Sequence, residues 1–348
     1  MRSERRTGKA PPAKSVSRAA VSIVALLAAI TLVAACSDSK PGAARASDSN
    51  SASGSVATNS DATNSDEPDN TPGGAPAQKP SATVTYCTPG GVPQVMDIYL
   101  PADVSKPVPV AMFVHGGGWR HGDRNEGGFL DKIAGWLTSR GIAVATIDYR
   151  LVPQYVFPAD IEDVKCAVRF LRAKATDYHL DPNHIGAWGD SAGGHLVSLL
   201  GTADASAGFD VGEYLDQSSR VQAVVDMFGP SDETGLQPAN CSERNSICVV
   251  LGVTASSPDL SAKAKAFSPI TYVSSDDPPF LILQGDHDHT VPVQQSQTLA
   301  DHLQAAGVEH QLVIVKGGPH GLGSPKEIPS FDQIIQMTID FLVAKLSG

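Results

Sequence analysis

Short apolar runs alternate with segments of helical apolar spacing from about residue 83 to the end of the chain. Continuous apolar runs of this length predict strands that are buried on both faces, and they cover 108–114, 142–147, 184–188, 221–228, 279–284 and 311–315. Apolar residues spaced three and four apart predict helices, at 129–140, 159–174, 192–200, 293–306 and 331–346. This alternation predicts a mainly parallel sheet with helices on both faces.

Two further strands precede the first buried run. Residues 83–86 and 96–100 predict a hairpin of two edge strands around the turn Pro89-Gly90-Gly91, which brings the sheet to eight strands. The stretch 229–277 is the least regular part of this region. The pattern therefore predicts an α/β domain in which one long segment follows no simple periodicity.

The first 35 residues have the composition of a targeting segment. Six basic side chains precede a mostly apolar run at 19–35, as in bacterial signal peptides. The run ends in Val33-Ala34-Ala35-Cys36, which resembles the lipobox of bacterial lipoproteins. We therefore expect a signal peptide at 1–35 and a lipid on Cys36 that anchors the chain to the outer face of the cytoplasmic membrane. An uncleaved anchor helix is one alternative and secretion without an anchor is another, and every route exports the rest of the chain.

Composition separates a linker from a folded part. Residues 36–82 are rich in Ser, Ala, Asn and Pro, which predicts a disordered tether ahead of a folded domain at 83–348. The net charge is −11, and without residues 1–35 the chain keeps 20 Lys and Arg against 36 Asp and Glu, a net charge of −16. A nucleic-acid partner needs a basic face, so none is expected.

The sequence Gly189-Asp190-Ser191-Ala192-Gly193 stands between a predicted strand and a predicted helix. A strand, a tight turn and a helix with Ser at the apex form a nucleophile elbow. The serine of such an elbow has a strained backbone, and side chains at the flanking glycines would clash where strand and helix pass closely. We therefore expect Ser191 to be a nucleophile.

A serine nucleophile needs a base, because a free hydroxyl is barely nucleophilic at neutral pH. Among ten histidines, His320 follows the last predicted strand on a glycine-rich loop that can bring it over the elbow. His195 is four residues beyond Ser191 in the elbow helix and faces the wrong way. Surface or capping roles are expected for the histidines on helices or at strand edges, which are His179, His184, His302 and His310.

The acid that orients His320 is expected on a loop after a late strand. The segment 285–292 offers two carboxylates there. We favour Asp288, because Asp286 directly follows the strand, where Asp commonly accepts turn hydrogen bonds from the backbone. Asp226, near another strand end, is the third candidate.

Two histidines bracket the favoured acid and raise the question of a metal. His287 and His289 have no third ligand at metal-site spacing, so we expect no metal. The chain also lacks Gly-Lys-Ser/Thr and Gly-x-Gly-x-x-Gly with a partner acid, which disfavours nucleotide binding. The prediction is a site without a cofactor.

The sequence His115-Gly116-Gly117-Gly118-Trp119, here termed the oxyanion loop, follows the first buried strand. Residues without side chains let the backbone approach a substrate closely. We expect the N–H groups of Gly117, Gly118 and Ala192 to form an oxyanion hole. Trp119 either forms a wall of the substrate pocket or packs in the core.

Four cysteines remain besides Cys36. Export makes disulfides chemically reasonable. Cys241 and Cys248 flank a short polar loop and are the favoured pair, which leaves Cys87 with Cys166 as the second pair. The alternative for Cys166 is a buried free thiol on an apolar helix face.

Together these motifs resemble those of one family, the α/β-hydrolase esterases near hormone-sensitive lipase, and more narrowly the BD-FAE group of bifunctional feruloyl and acetyl-xylan esterases. The motifs are His-Gly-Gly-Gly-Trp at 115–119, Asp-Tyr-Arg-Leu at 148–151, Gly-Asp-Ser-Ala-Gly-Gly at 189–194, Gly-Asp-His-Asp-His-Thr-Val-Pro at 285–292 and Pro-His-Gly at 319–321. The resemblance spans roughly residues 83–346. Gln284 departs from it, since relatives usually have His before this Gly, and we do not expect it to be catalytic.

The resemblance implies an α/β-hydrolase fold and hydrolysis of carboxylic esters through an acyl-enzyme. The triad would be Ser191, Asp288 and His320. The chain has no insertion long enough for a large lid, which favours small-molecule esters with short acyl groups. Polysaccharide-linked acetyl or feruloyl esters stay open as substrates, as do amides of the arylformamidase or peptidase type, and the oligomeric state is open.

Two rival interpretations are weaker. A peptidase of the prolyl oligopeptidase type shares this triad but normally carries a propeller domain, for which this chain has no room. A binding protein on an inactive hydrolase fold would lack part of the triad or its glycines, and here all are present.

Overall fold

The structure is a computed structural model that describes residues 79–125, 129–242 and 244–347, apart from the side chains of 129, 131 and 132. The predicted signal peptide, Cys36 and all but the end of the predicted tether lie outside the described residues. Within these ranges, no helix combines the length and the apolar character that crossing a membrane requires.

An eight-stranded sheet organises the domain, in the order β1-β2-β4-β3-β5-β6-β7-β8. The strands are β1 (Ala82–Cys87), β2 (Gln94–Tyr99), β3 (Val108–Val114), β4 (Ala143–Ile147), β5 (Leu180–Asp190), β6 (Ala223–Met227), β7 (Phe280–Gly285) and β8 (His310–Val315). The β1–β2 and β2–β4 pairs are antiparallel, and the other neighbouring pairs are parallel. The predicted sheet is confirmed, with one correction: β2 is not an edge strand, because β4 pairs with its second side.

Helices cover both faces of this sheet, as predicted. They are α1 (Phe129–Ser139), α2 (Ala159–Ala173), α3 (Ala192–Thr202), α4 (Ser246–Val250), α5 (Leu260–Phe267), α6 (Gln294–Ala306) and α7 (Phe331–Leu346). On one face Ile133 of α1 and Ile335 of α7 share a core with Phe113 of β3. On the other face Leu196 of α3 shares a core with Met112, the neighbour of Phe113. Successive residues of one strand enter different cores, so the strand must be apolar throughout.

Two segments differ from the predicted boundaries. β5 begins at Leu180 rather than at 184, because Leu180 pairs with Val108 ahead of a register shift. The irregular stretch 229–277 contains the short helices α4 and α5. The earlier start of β5 arises from pairing with a strand distant in sequence, which apolar periodicity does not record.

Two disulfides lie within the described residues. Cys87 at the end of β1 is bonded to Cys166 of α2, at a sequence separation of 79. Cys241 is bonded to Cys248 of α4, at a separation of 7. Cys166 is therefore not a free thiol in this structure. The Cys87–Cys166 bond links β1, at the edge of the sheet, to α2.

The two disulfides are expected to stabilise the domain unequally. Cross-linking lowers the entropy of the unfolded chain more when the closed loop is longer. Replacing Cys87 and Cys166 by Ala should lower the free energy of unfolding by about 4 kcal/mol, and replacing Cys241 and Cys248 by about 2 kcal/mol. Equilibrium urea unfolding measures both changes, and an equal or reversed order would contradict this account.

Candidate active site

Ser191 lies between the last residue of β5 and the first residue of α3. Its φ of 51° is in the left-handed region, which residues other than glycine rarely adopt. Its N–H donates to the carbonyl of Met227 in β6 at 2.8 Å. A Cβ atom on Gly193 would collide with the carbonyl oxygen of Val114 in β3. The strained serine is thus held where a helix passes directly over two strands.

A chain of hydrogen bonds leads from this serine to a buried carboxylate. Ser191 Oγ is 2.9 Å from His320 Nε2, and His320 Nδ1 is 2.7 Å from Asp288 Oδ2. A carboxylate accepts only, so Nδ1 carries the proton and Nε2 is left to accept from the hydroxyl. The structure brings these three predicted residues together from loops that follow β5, β7 and β8. This arrangement can remove the proton of a serine hydroxyl as it attacks an electrophile.

The carboxylate oxygen of Asp288 that does not contact His320 is also hydrogen-bonded. This atom, Oδ1, accepts hydrogen bonds from the backbone N–H groups of Thr290, at 2.8 Å, and Val291, at 2.9 Å. These are Asx-type turn bonds, which the sequence assigned to Asp286 instead, and that assignment was wrong. The side chain of Asp288 has no exposed surface. Its orientation is therefore set by the turn and not by the histidine alone.

Gln284 supplies a further donor to this carboxylate, which sequence reasoning did not find. Its buried Nε2 donates to Asp288 Oδ2 at 3.0 Å and to the carbonyl of Val291 at 3.2 Å. Its Oε1 accepts from the hydroxyl of Ser296 in α6 at 2.9 Å. Two acceptor-only partners fix the nitrogen end of the amide, so Ser296 must donate to the oxygen end. The available signal was one polar residue near the end of an otherwise apolar strand.

Asp286 and Asp226, the other two candidates for the acid, have different hydrogen-bond partners. Asp286 accepts from His287 Nδ1 at 2.6 Å and from the Gly317 N–H, and these bonds hold its pKa below the usual value. Asp226 is buried and accepts from Ser198 Oγ and from a backbone N–H, and burial raises its pKa to about 7. His287 is thus committed to a carboxylate, and no group of three metal-binding side chains occurs among the described residues.

His195 is part of the core below the elbow. Its Nε2 is 2.7 Å from the carbonyl oxygen of Phe267, and burial lowers its pKa to about 4. Its ring stacks on Phe267, and Trp119 meets both rings edge-on, at 5.4 Å and 5.3 Å between centroids. Trp119 also borders the cavity that contains Ser191. Both roles considered for this tryptophan therefore occur together.

The oxyanion loop has backbone donors without acceptors. Gly117 and Gly118 have φ values of 99° and 61°, which glycine adopts without strain. The N–H of Gly116 donates to Asp190 Oδ1 at 3.1 Å, which ties the loop to the residue before the nucleophile. Among the described residues, the N–H groups of Gly117, Gly118 and Ala192 donate to no acceptor. These donors are free to bind a ligand oxygen.

A cavity of about 310 Å³ opens beside the serine. One side is formed by Gly118 and Trp119, and another by the turn after β7. The irregular stretch 229–277 contributes a third side, with Pro230, Glu233 and Ile247 among its residues. The part of the chain with the weakest secondary-structure signal therefore shapes the space next to Ser191.

This fold, with a serine elbow after β5 and the histidine and carboxylate on late loops, defines an α/β-hydrolase. Residues 96–303 match the family model BD-FAE, and the chain belongs to this family, as the motifs indicated. The matched range contains Ser191 and Asp288 and ends before His320.

Several relatives are named as esterases or ester hydrolases. Esterase LipC of Mycobacterium tuberculosis is 32% identical over 216 residues, which cover 61% of this chain and 52% of LipC. A solved truncated form of a carbohydrate esterase from gut microbiota is 28% identical, with a TM-score of 0.65 over 77% of this chain and 98% of the other. An acetyl ester-xyloside bifunctional hydrolase from Caldicellulosiruptor lactoaceticus is 28% identical, with a TM-score of 0.60 over 72% and 88%. The chain spans about half the length of the curated relatives it matches.

The close approach at Gly193 predicts a large effect of one methyl group. Gly193→Ala should lower the free energy of unfolding by more than about 4 kcal/mol or prevent folding. The new Cβ atom would collide with the backbone carbonyl of Val114, which belongs to a central strand and cannot move aside. Gly235→Ala is the matched control, since a Cβ there meets nothing within 4 Å. Thermal unfolding compares the two variants, and a Gly193→Ala protein as stable as wild type would contradict the described crossing.

Proposed function

We propose that the domain at 83–348 is a serine carboxylic-ester hydrolase that acts on short-chain acyl esters. The observation that carries this proposal is the hydrogen-bonded chain from Ser191 Oγ through His320 to Asp288, at the wall of a cavity. Membership of the BD-FAE family and the esterase names of the relatives favour an ester over other bonds.

In the first half of the reaction, the serine Oγ attacks the ester carbonyl carbon while His320 Nε2 takes the hydroxyl proton. The carbonyl electron pair moves to oxygen, and the free N–H groups of Gly117, Gly118 and Ala192 are the donors for this oxyanion. Asp288 stabilises the imidazolium through Nδ1. The imidazolium then protonates the alkoxide as its bond to carbon breaks, which releases the alcohol and leaves an acyl-enzyme on Ser191.

Water completes the cycle by the same groups. His320 removes a proton from a water molecule as its oxygen attacks the acyl carbon, and the oxyanion donors act a second time. The protonated imidazole returns its proton to Ser191 Oγ as the acyl–oxygen bond breaks. The products are a carboxylic acid and the free enzyme.

The size of the cavity bears on the substrate. A volume of about 310 Å³ is at the lower limit of small-molecule sites, which favours a short acyl group. The names of two structural neighbours, a carbohydrate esterase and an acetyl ester-xyloside hydrolase, favour an acetylated carbohydrate as a second candidate for the natural substrate.

We also propose that the enzyme acts outside the cytoplasmic membrane, anchored by a lipid on Cys36. The lipobox-like sequence ahead of Cys36 supports this location. The two disulfides also support it, because disulfides persist in oxidising compartments and are rare in the cytoplasm.

The first test is hydrolysis of p-nitrophenyl esters from acetate to palmitate. The value of kcat/KM should be highest for the shortest acyl groups, and Ser191→Ala and His320→Ala should each lower kcat by about 10⁴-fold or more. His302→Ala is the matched control and should leave activity unchanged, because His302 is exposed on α6 and bonds its own helix. A folded wild-type protein that hydrolyses no ester would overturn the proposed function. Release of acetate from acetylated xylan tests the second candidate.

Gln284 is expected to act as a positioning residue for Asp288. Gln284→Met keeps the shape of the side chain but removes the donor to Asp288 Oδ2, so the carboxylate and the imidazole lose part of their alignment. We expect kcat to fall about 10- to 100-fold with little change in KM. Ser296→Ala removes only the partner of the amide oxygen and should have a smaller effect. A Gln284→Met enzyme with the wild-type kcat would contradict this role.

A further inference from the structure

One carboxylate in the cavity beside Ser191 has no protein partner. Glu233 lines this cavity, and its side chain accepts no hydrogen bond and pairs with no cation among the described residues. The other long polar side chains of the wall are occupied: Asn245 caps α4 and Gln295 bonds three backbone groups of 231–232. Within the described residues, Glu233 is therefore an ionisable group of the cavity wall that no cation and no hydrogen-bond donor compensates.

The backbone around Glu233 is nevertheless fixed. Its N–H donates to Ser268 Oγ at 2.8 Å, and its carbonyl accepts from the N–H of Leu236. The preceding residue, Asp232, donates its N–H to Gln295 Oε1 at 2.7 Å and accepts from the same amide. Bonds to two separate elements thus hold this carboxylate at the cavity wall, and its position is not that of a free surface loop.

The electrostatic surroundings of Glu233 are negative. Burial, with a smaller contribution from the charge of Asp232, raises its pKa to about 7. The facing parts of the wall are the oxyanion loop, 245–247, 290–292 and α6, and in the described chain they present no titratable side chain to the cavity. Among the described residues that line the cavity, an ionised Glu233 therefore has no counter-charge, and a bound ligand could supply one.

We propose that Glu233 is a specificity-determining residue that favours esters with a positive charge near the ester bond and disfavours esters with a negative charge there. This inference rests on the proposed function, because it concerns the substrate of the same site. Because Glu233 and Ser191 line the same cavity, the carboxylate would stabilise a cation on a bound ester in both the ground state and the transition state. Because the alcohol and acyl groups of an ester would both lie in this cavity, the positive charge of the substrate can be on either side of the ester bond.

Removing the charge of Glu233 should lower kcat/KM about tenfold for a cationic ester and raise it about tenfold for an anionic one. This is the effect expected for two charges ~6 Å apart at an effective dielectric constant of about 40. Glu233→Gln keeps the shape of the side chain and removes its charge, so its effect on a neutral ester is the reference against which the charged esters are compared. Among the described residues the Glu233 side chain has no hydrogen-bond or ion-pair partner to lose, so folding should be retained.

The experiment compares three acetyl esters on the full-length protein: acetylcholine, its uncharged carbon isostere dimethylbutyl acetate, and the anionic sulfoethyl acetate. Betaine methyl ester and its uncharged isostere methyl dimethylbutanoate place the charge on the acyl side. The measured quantity is the ratio of kcat/KM for a charged ester to that for its isostere. Glu233→Gln should change this ratio about tenfold for at least one cationic probe, with the opposite change for the anion. Ser246→Ala, on the same wall without charge, is the matched control and should leave the ratios unchanged.

The same ratios should depend on pH in the wild-type enzyme only. Glu233 is neutral well below pH 7 and ionised above it, so selectivity for the cationic ester should rise from about pH 5.5 to about pH 8.5. Any effect of pH that is common to the charged ester and its isostere cancels in the ratio. Ratios that are identical in wild type and Glu233→Gln would overturn the inference and leave the proposed function intact. No hydrolysis of neutral esters by folded wild-type protein would overturn both.

Discussion

The contact between α3 and the ends of the central strands is the constraint on which the rest of the site depends. The carbonyl of Val114 approaches Gly193 so closely that a methyl group has no room. This approach sets the path of the chain through Ser191, whose φ of 51° holds its side chain at the apex of the turn. The strain persists because two strands and a helix determine the backbone on every side. Among the described residues the N–H of Ala192, at the start of the same helix, has no acceptor, so the proposed nucleophile and one proposed oxyanion donor are adjacent in the same turn.

A second layer of buried hydrogen bonds holds the acid. Asp288 accepts from two backbone N–H groups, from the amide of Gln284 and from His320. A buried carboxylate with several fixed donors neither rotates nor takes up a water molecule in place of the imidazole. Ser296 of α6 locks the amide from the far side, so a helix that does not touch the nucleophile still supports its base. The backbone and amide donors are neutral, so they orient the carboxylate of Asp288 without adding charge to the site.

The domain divides its tasks between regular and irregular parts. The parallel strands and the helices of both faces supply a rigid frame, and the Cys87–Cys166 bond ties its outer strand to α2. The stretch 229–277 follows no simple periodicity, and it provides Glu233 at the cavity wall. Loops on a rigid frame tolerate change without loss of the fold, so this stretch can change the shape of the cavity while the sheet stays the same.

Much of this molecule was predictable from the sequence, for a physical reason. Strands buried on both faces must be apolar throughout, and the carboxyl ends of parallel strands lie along one edge of the sheet, so the segments with Ser191, Asp288 and His320 were expected to meet. The glycines of the elbow also show, in the sequence itself, where the backbones of strand and helix must pass closely. The roles of Gln284 and Glu233 could not be found in this way. Each is an ordinary polar residue in its local sequence, and its surroundings depend on how the chain folds. Gln284 depends on how the following turn and helix fold back against its strand, and Glu233 on the lack of a cation among the described residues that line the cavity. Such partnerships exist only once the chain is folded, and the tertiary structure alone decided them.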